Sequence, residues 1–393
     1  MIISKKSVIL ILISVFITNM VAIVVYTYVP KYLLYLGTTK PLMQLIITIF
    51  PLTAFLFPPL YGYFSDKFQN RFVFIVFGTI GINFSIFFLF LTRDLIVIII
   101  LLFFFGFFMA SSNLNMTLFA ELVEDDKKLI SYFNAIIVAG WFVGAQSGGI
   151  FIDIHDIKNI FLFILILSLP IIIFVVFIRE NRSLILERYK KRGDKNFNDL
   201  ILNNSKEESQ ISQSIYYSLF FRNFSIKPIM PILAIIMSFH IGSDTEIGFL
   251  IGVNFLLQFF QMILVGQIIT IKNIKSFMIL GYSLSAISIF GYIISSNFWS
   301  FLFFQVLVSF SYSMHWAATT IYIAQNTTPK NKGRYMGYAN TSVFSGSFLG
   351  GLLFSLLLVY NSDYYISMYF LIIFPVISTL IIFLKFKPKH EFI

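Results

Sequence analysis

Gly62-Tyr63-Phe64-Ser65-Asp66-Lys67-Phe68-Gln69-Asn70-Arg71 forms a short basic loop between two apolar runs, and the segment around it returns in degenerate form in the second half of the chain. Gly37 and Gly62 find partners in Gly242 and Gly266, while Asn134, Gly140 and Gly144 find partners in Asn340, Gly346 and Gly350, at offsets of 204 to 206. Two tandem copies of one unit account for this spacing.

The unit is a membrane unit. Hydrophobic residues fill 58% of the 393 positions, charged residues only 12%, and mean hydropathy is +0.87, far from the balance of a soluble domain. A helix needs roughly 20 apolar residues to cross about 30 Å of hydrocarbon. Twelve stretches qualify: 7–29, 42–63, 72–91, 95–119, 129–152, 160–178, 215–237, 247–271, 277–294, 298–324, 335–360 and 364–384. Lys5 and Lys6 ahead of an apolar run resemble the start of a signal peptide. That run continues to Val29 without a small-residue cleavage pattern, so it is read as the first span, retained in the mature chain. Cysteine is absent, which excludes disulfides and thiolate metal sites.

Basic residues set the expected orientation. With the N-terminus cytoplasmic, 22 of the 28 Lys and Arg fall on the cytoplasmic side, and the other side holds only Lys31, Lys40, Arg93 and Lys158. Both termini are then cytoplasmic in a cell membrane. The net charge of +10 reflects this orientation rather than nucleic-acid binding.

The one long polar stretch, 179–213, reads as a cytoplasmic linker between an N-terminal six-helix bundle, 1–178, and a C-terminal one, 214–393. Six spans per copy make each copy enter and leave on the same side, so the copies relate by an axis along the membrane normal. The expected fold is all-α, twelve transmembrane helices in two pseudo-symmetric bundles. In span count, duplication and linker, and in Gly62, Asp66, Lys67 and Arg71 after the second span, the chain resembles the major facilitator superfamily. That resemblance implies alternating access by rocking of the two bundles. It also implies that Asp66 latches a cytoplasmic gate against the start of the eleventh span, near Gly333-Arg334-Tyr335. The second copy, Gly266-Gln-Ile-Ile-Thr270, lacks the acid, so the latch is asymmetric.

Gly140-Trp141-Phe142-Val143-Gly144-Ala145-Gln146-Ser147-Gly148-Gly149 is similar to the glycine-rich fifth-span motif of drug exporters in that superfamily, but Ala145 stands where they carry proline. The fourth span also lacks the basic residue of those exporters. Close helix packing explains the glycines without an exporter function, and Gly346, Gly350 and Gly351 repeat them in the eleventh span.

Charges inside the membrane point to function, since one at the bilayer centre costs roughly 2.5 to 3.5 kcal/mol. No carboxylate falls in the middle of a span. Arg222 and Lys227 do, because the 14 residues from Pro228 to Ile241 are too few to cross alone. These two are the candidates to neutralise an anionic substrate; the competing reading is a structural cation at a helix loosened by Pro228 and Pro231. His315 and Trp316 in the tenth span, with Ser311 and Thr319 a turn away, are further candidates, and His315 is also a candidate proton carrier. Asn19 and Tyr26, Asn115, and Asn254 with Gln258 complete the expected lining.

An enzyme is not expected. The four histidines are scattered, no metal-ligand spacing appears, and Asp125-Asp126 and Asp153-Ile154-His155-Asp156 read as solvated loops. No catalytic residue, cofactor or metal is implied. The expectation is a monomeric secondary transporter in the lipid bilayer, moving a small organic solute, preferably anionic or zwitterionic, with a proton as a possible coupling ion. The alternatives are a multidrug exporter of lipophilic compounds and a transporter-like sensor that does not translocate.

Overall fold

The computed structural model describes residues 5–68, 70–123, 127–178, 211–327 and 332–387. Most of the expected linker and the Asp125-Asp126 pair lie outside them. The described residues form twelve membrane-length rods. In the first half these are α1 (Lys5–Tyr35), α2 (Lys40–Lys67), α3 (Arg71–Leu91), α4 (Leu95–Leu122), α5 (Lys127–His155) and α6 (Ile160–Val176). The second half supplies α7 (Gln213–Ser238), α8 (Asp244–Ile268), α9 (Ile274–Ile294), α10 (Phe298–Gln325), α11 (Lys332–Asn361) and α12 (Tyr364–Lys385). Eleven are both long and apolar enough to cross a membrane. The remaining rod, α10, has 28 residues, and its apolarity is diluted by Gln305, Ser309, Ser311, Ser313, His315 and Thr319, all buried inside the protein. Length carries this helix across, and protein neighbours rather than lipid receive its polar groups.

Packing repeats with the sequence. In the first half α1 packs on α5 and α6, α3 on α4 and α6, and α2 on α4. Shifted by six helices, the same set returns: α7 on α11 and α12, α9 on α10 and α12, α8 on α10. The two halves meet through α5 against α8 and α2 against α11, again a symmetric pair.

The glycines make these contacts close. A Cβ added at Gly144 would lie 2.7 Å from the Met20 backbone on α1, and one at Gly140 would lie 2.6 Å from the Phe16 carbonyl. Gly346 and Gly350 meet the Phe220 and Phe224 carbonyls of α7 in the same way. Gly144→Val therefore forces α1 and α5 apart and should cost about 1–3 kcal/mol or more. Thermal unfolding in detergent should show the loss; an unchanged midpoint would mean that this close approach does not exist.

Several rods break where proline withholds its N–H. Helix α7 passes through a 3₁₀ turn at Met230–Ile232, which follows Pro228 and contains Pro231. Pro231 cannot donate to the Lys227 carbonyl, so that oxygen accepts instead from Tyr26 Oη at 3.2 Å, across the boundary between the halves. Gln44 Nε2 donates to the Pro228 carbonyl at 3.4 Å in the same break. Helix α4, which contains no proline, has a second 3₁₀ turn at Ala110–Ser112.

Among the described residues, the polar ties between the halves lie toward one end. The hydrogen bonds that join them gather in the membrane half away from the termini, including Lys40 Nζ to the Ser362 carbonyl at 2.8 Å and Ser355 Oγ to the Pro41 carbonyl at 2.8 Å. The two bundles are closed against each other at that far end.

Candidate functional site

Between the halves lies a cavity of about 440 Å³. Of the residues expected to line it, Asn19 and Tyr26 of α1, Arg222 and Lys227 of α7, and Asn254 and Gln258 of α8 all do. The α7 cations point some way apart around their helix, but both side chains are long enough to reach the same space. Apolar and aromatic walls come from Phe50, Phe105, Trp141, Phe255, Tyr312 and Phe344. No Asp or Glu is among the described lining residues.

Arg222 is 2% exposed. Its Nε donates to Ser285 Oγ on α9 at 3.0 Å, its Nη1 approaches Asn223 Oδ1 at 3.4 Å, and its guanidinium lies 5.7 Å from the centre of the Tyr312 ring. Ser285 is held in turn, sharing a 2.6 Å hydroxyl contact with Ser311, which donates to the Gly281 carbonyl at 2.8 Å. Every one of these partners is neutral. Ser218 and Ser225, on the same helical face, serve the scaffold: Ser218 exchanges hydrogen bonds with Ser378 of α12, and Ser225 donates to the Arg222 carbonyl.

A second polar chain leads away from the cavity. Gln258 Nε2 donates to Asn254 Oδ1, Asn254 Nδ2 donates to Gln305 Oε1 at 2.5 Å, and Tyr292 Oη donates to that same oxygen at 3.3 Å. Gln305 and Tyr292 thus fix which way the α8 amides face. Neither carried a signal in the sequence beyond being a polar residue within a span.

His315, Trp316 and Asn115 do not join the lining. His315 is buried behind it, with Nδ1 2.7 Å from the Ser311 carbonyl, between the rings of Tyr282 and Tyr312 and against Gly281 of α9. Trp316 stacks on Tyr312, its ring centre 6.2 Å away, and packs with the second apolar core. For Asn115 the cause is the 3₁₀ turn in α4, which advances the chain by about 120° per residue instead of about 100°. Ser112 and Asn113 face the cavity as a result, and Ser111 packs against Gly78.

At the end that bears the termini, the expected gate residues build a cluster within the first half. Arg71 is buried and pairs with Asp66 at 3.2 Å and with Glu121 of α4 at 2.8 Å, adding a second contact to Glu121 through Nε at 3.0 Å. It ties α2, α3 and α4 together rather than merely holding a loop at the surface. Lys67 lies over the Tyr63 ring at 5.9 Å, Gly62 faces open space, and Arg334, at the start of α11, donates to Tyr338 of its own helix at 2.8 Å.

The closed end holds a site that sequence reasoning treated as a solvated loop. Asp153, at the end of α5, accepts from Ser243 Oγ and from the backbone N–H groups of Asp244 and Thr245, each at 2.8 Å. A carboxylate of one half thus caps the first turn of α8 in the other, where unpaired N–H groups and the helix dipole favour negative charge. Lys31 of α1 adds an ion pair to Asp244 at 2.5 Å. Gly149 and Gly248 bring the two backbones close enough for this clasp.

The family described as Major Facilitator Superfamily has a sequence model that matches residues 10–207 and 215–392. No curated protein sequence matches. Among solved structures, a mutant of the nucleoside transporter NupG superposes with a TM-score of 0.81 at 10% identity, covering 97% of this chain and 100% of that one. The inward-open xylose transporter XylE from E. coli gives 0.70 at 12% identity, covering 99% and 98%. A POT family transporter in complex with 5-aminolevulinic acid gives 0.72 at 12% identity, covering 96% and 95%. At these identities the likeness is one of fold.

Proposed function

The chain belongs to the Major Facilitator Superfamily, and from that premise we propose that it carries a small organic anion or zwitterion across a cell membrane by alternating access. That it is an integral multi-pass membrane protein and a secondary transporter of small solutes follows from the family and the fold. The substrate class rests on one observation: Arg222 and Lys227 line a cavity whose described lining has no carboxylate. A buried cation without a counter-ion is costly, and an anionic substrate supplies the counter-ion. Asn19, Tyr26, Asn254 and Gln258 then position the substrate, and the aromatic walls take its apolar part. The 5-aminolevulinic acid held by one fold relative is a zwitterion of the size this reading calls for.

With the termini cytoplasmic, as the basic loops favour, the present state opens to the cytoplasm. Lys31, Asp153 and Asp244 form the outer gate. Asp66, Lys67 and Arg71, with Gly62, belong to the inner one. The aromatic walls favour a second reading, an exporter of lipophilic compounds. Charge movement in proteoliposomes separates the two, on rapid addition of panels of organic anions and of lipophilic cations. Currents from anions alone are expected; responses to lipophilic cations alone would establish the exporter.

A further inference from the structure

We infer that the carrier works as an exchanger, moving one organic anion inward and another outward, rather than as a uniporter or a proton symporter. The inference rests on the anion reading of the cavity.

Its basis is what surrounds the two cations. Arg222 has only neutral hydrogen-bond partners, Ser285 and Asn223. Lys227 lines the cavity and forms no ion pair among the described residues. The acids nearest the spans are engaged elsewhere: Asp153 and Asp244 in the clasp at the closed end, Asp66 and Glu121 on Arg71 at the other. His315 is turned away from the cavity, against Ser311 and two tyrosine rings. Among the described residues no acid is in place to supply the negative charge that the cavity lacks, with or without a proton.

Alternating access requires the open end to close over the cavity before the clasp lets go. That step removes Lys227 from water, and an uncompensated cation in a dry site is disfavoured. An anion between Arg222 and Lys227 cancels the penalty, whereas the empty carrier has nothing to cancel it with. Reorientation is fast when loaded and slow when empty, and a carrier that crosses only when loaded exchanges.

The test uses the purified full chain in proteoliposomes, with radiolabelled 4-hydroxybenzoate, uridine monophosphate or inorganic phosphate outside. The vesicles hold either the same unlabelled anion or potassium chloride. At least one probe is expected to enter anion-loaded vesicles about tenfold faster, a barrier difference of about 1.4 kcal/mol. In Lys227→Gln, whose empty cavity carries one charge less, the ratio should fall toward one. Equal wild-type uptake into both kinds of vesicle overturns exchange and leaves the anion site standing. So does uptake into chloride-loaded vesicles that follows an imposed proton gradient. Quenching of Trp141, which lines the cavity, reports binding independently of flux, with Trp141→Phe as the control. A probe that quenches without exchanging overturns exchange alone. If no probe quenches or moves, the anion reading and the exchange fall together.

Discussion

Arg222→Met should yield a protein that melts higher than the wild type and no longer binds anions. Arg222 is buried on neutral partners, so an apolar side chain of similar length removes a desolvation cost. Replacing buried charges by apolar groups stabilises other proteins by about 1–4 kcal/mol. Binding moves the opposite way, because losing one partner of a desolvated charge pair costs about 2–5 kcal/mol, roughly 30-fold to several thousand-fold in affinity. Thermal unfolding and Trp141 quenching measure the two effects on the same sample. A residue kept for substrate at the expense of stability gives this opposed pair of changes. If Arg222 instead serves the scaffold by tying α7 to α9 through Ser285, the variant melts lower and the anion site has to be abandoned.

Asp153→Asn should open the far end. The carboxylate accepts three hydrogen bonds at the N-terminus of α8, and hydrogen bonds to a charged group contribute about 1.5–3 kcal/mol each. The amide keeps the shape but loses the charge and half of its acceptor capacity. A loss of even one such bond shifts the balance between closed and open ends by about tenfold or more. Lys31→Met, which removes the ion pair to Asp244, should act in the same direction. The chain contains no cysteine, so spin labels at Arg93→Cys and Ser296→Cys, both exposed in loops at that end, report the separation of the halves directly. The wild type should give one distance and Asp153→Asn an added longer one. An unchanged distribution would show that close packing of Gly149 and Gly248, not the cap, holds the end shut.

The two predictions differ in how visible their residues were in the sequence. Arg222 and Lys227 stood out because a cation within an apolar span is costly wherever the helix lies in the bundle, so no neighbour had to be known. Asp153 did not. Its segment, Asp153-Ile154-His155-Asp156, has the composition of a solvated loop, and its partner is an α8 N-terminus 91 positions away in the chain.

The same division runs through the lining. Asn19, Tyr26, Asn254 and Gln258 were legible because each lies in an unbroken stretch of helix, where about 100° per residue predicts which side chains share a face. Asn115 follows the 3₁₀ turn in α4, which shifts the phase and hands the cavity to Ser112 and Asn113. His315 stands in an unbroken helix but on the side where Gly281 of α9 lets it pack. Polarity marked it as unusual without saying which neighbour it served.

The amino-acid sequence by itself determined the membrane environment, the twelve spans, the duplication and the presence of buried positive charge. These depend on local hydropathy, on length and on spacing along the chain. Tertiary structure decided which polar residues share the cavity, that Arg71 binds Asp66 and Glu121, and that Asp153 caps a helix of the other half. Each of those depends on groups brought together from distant positions, and the free energy of a buried charge or an unpaired N–H group is set by the partner that folding places beside it.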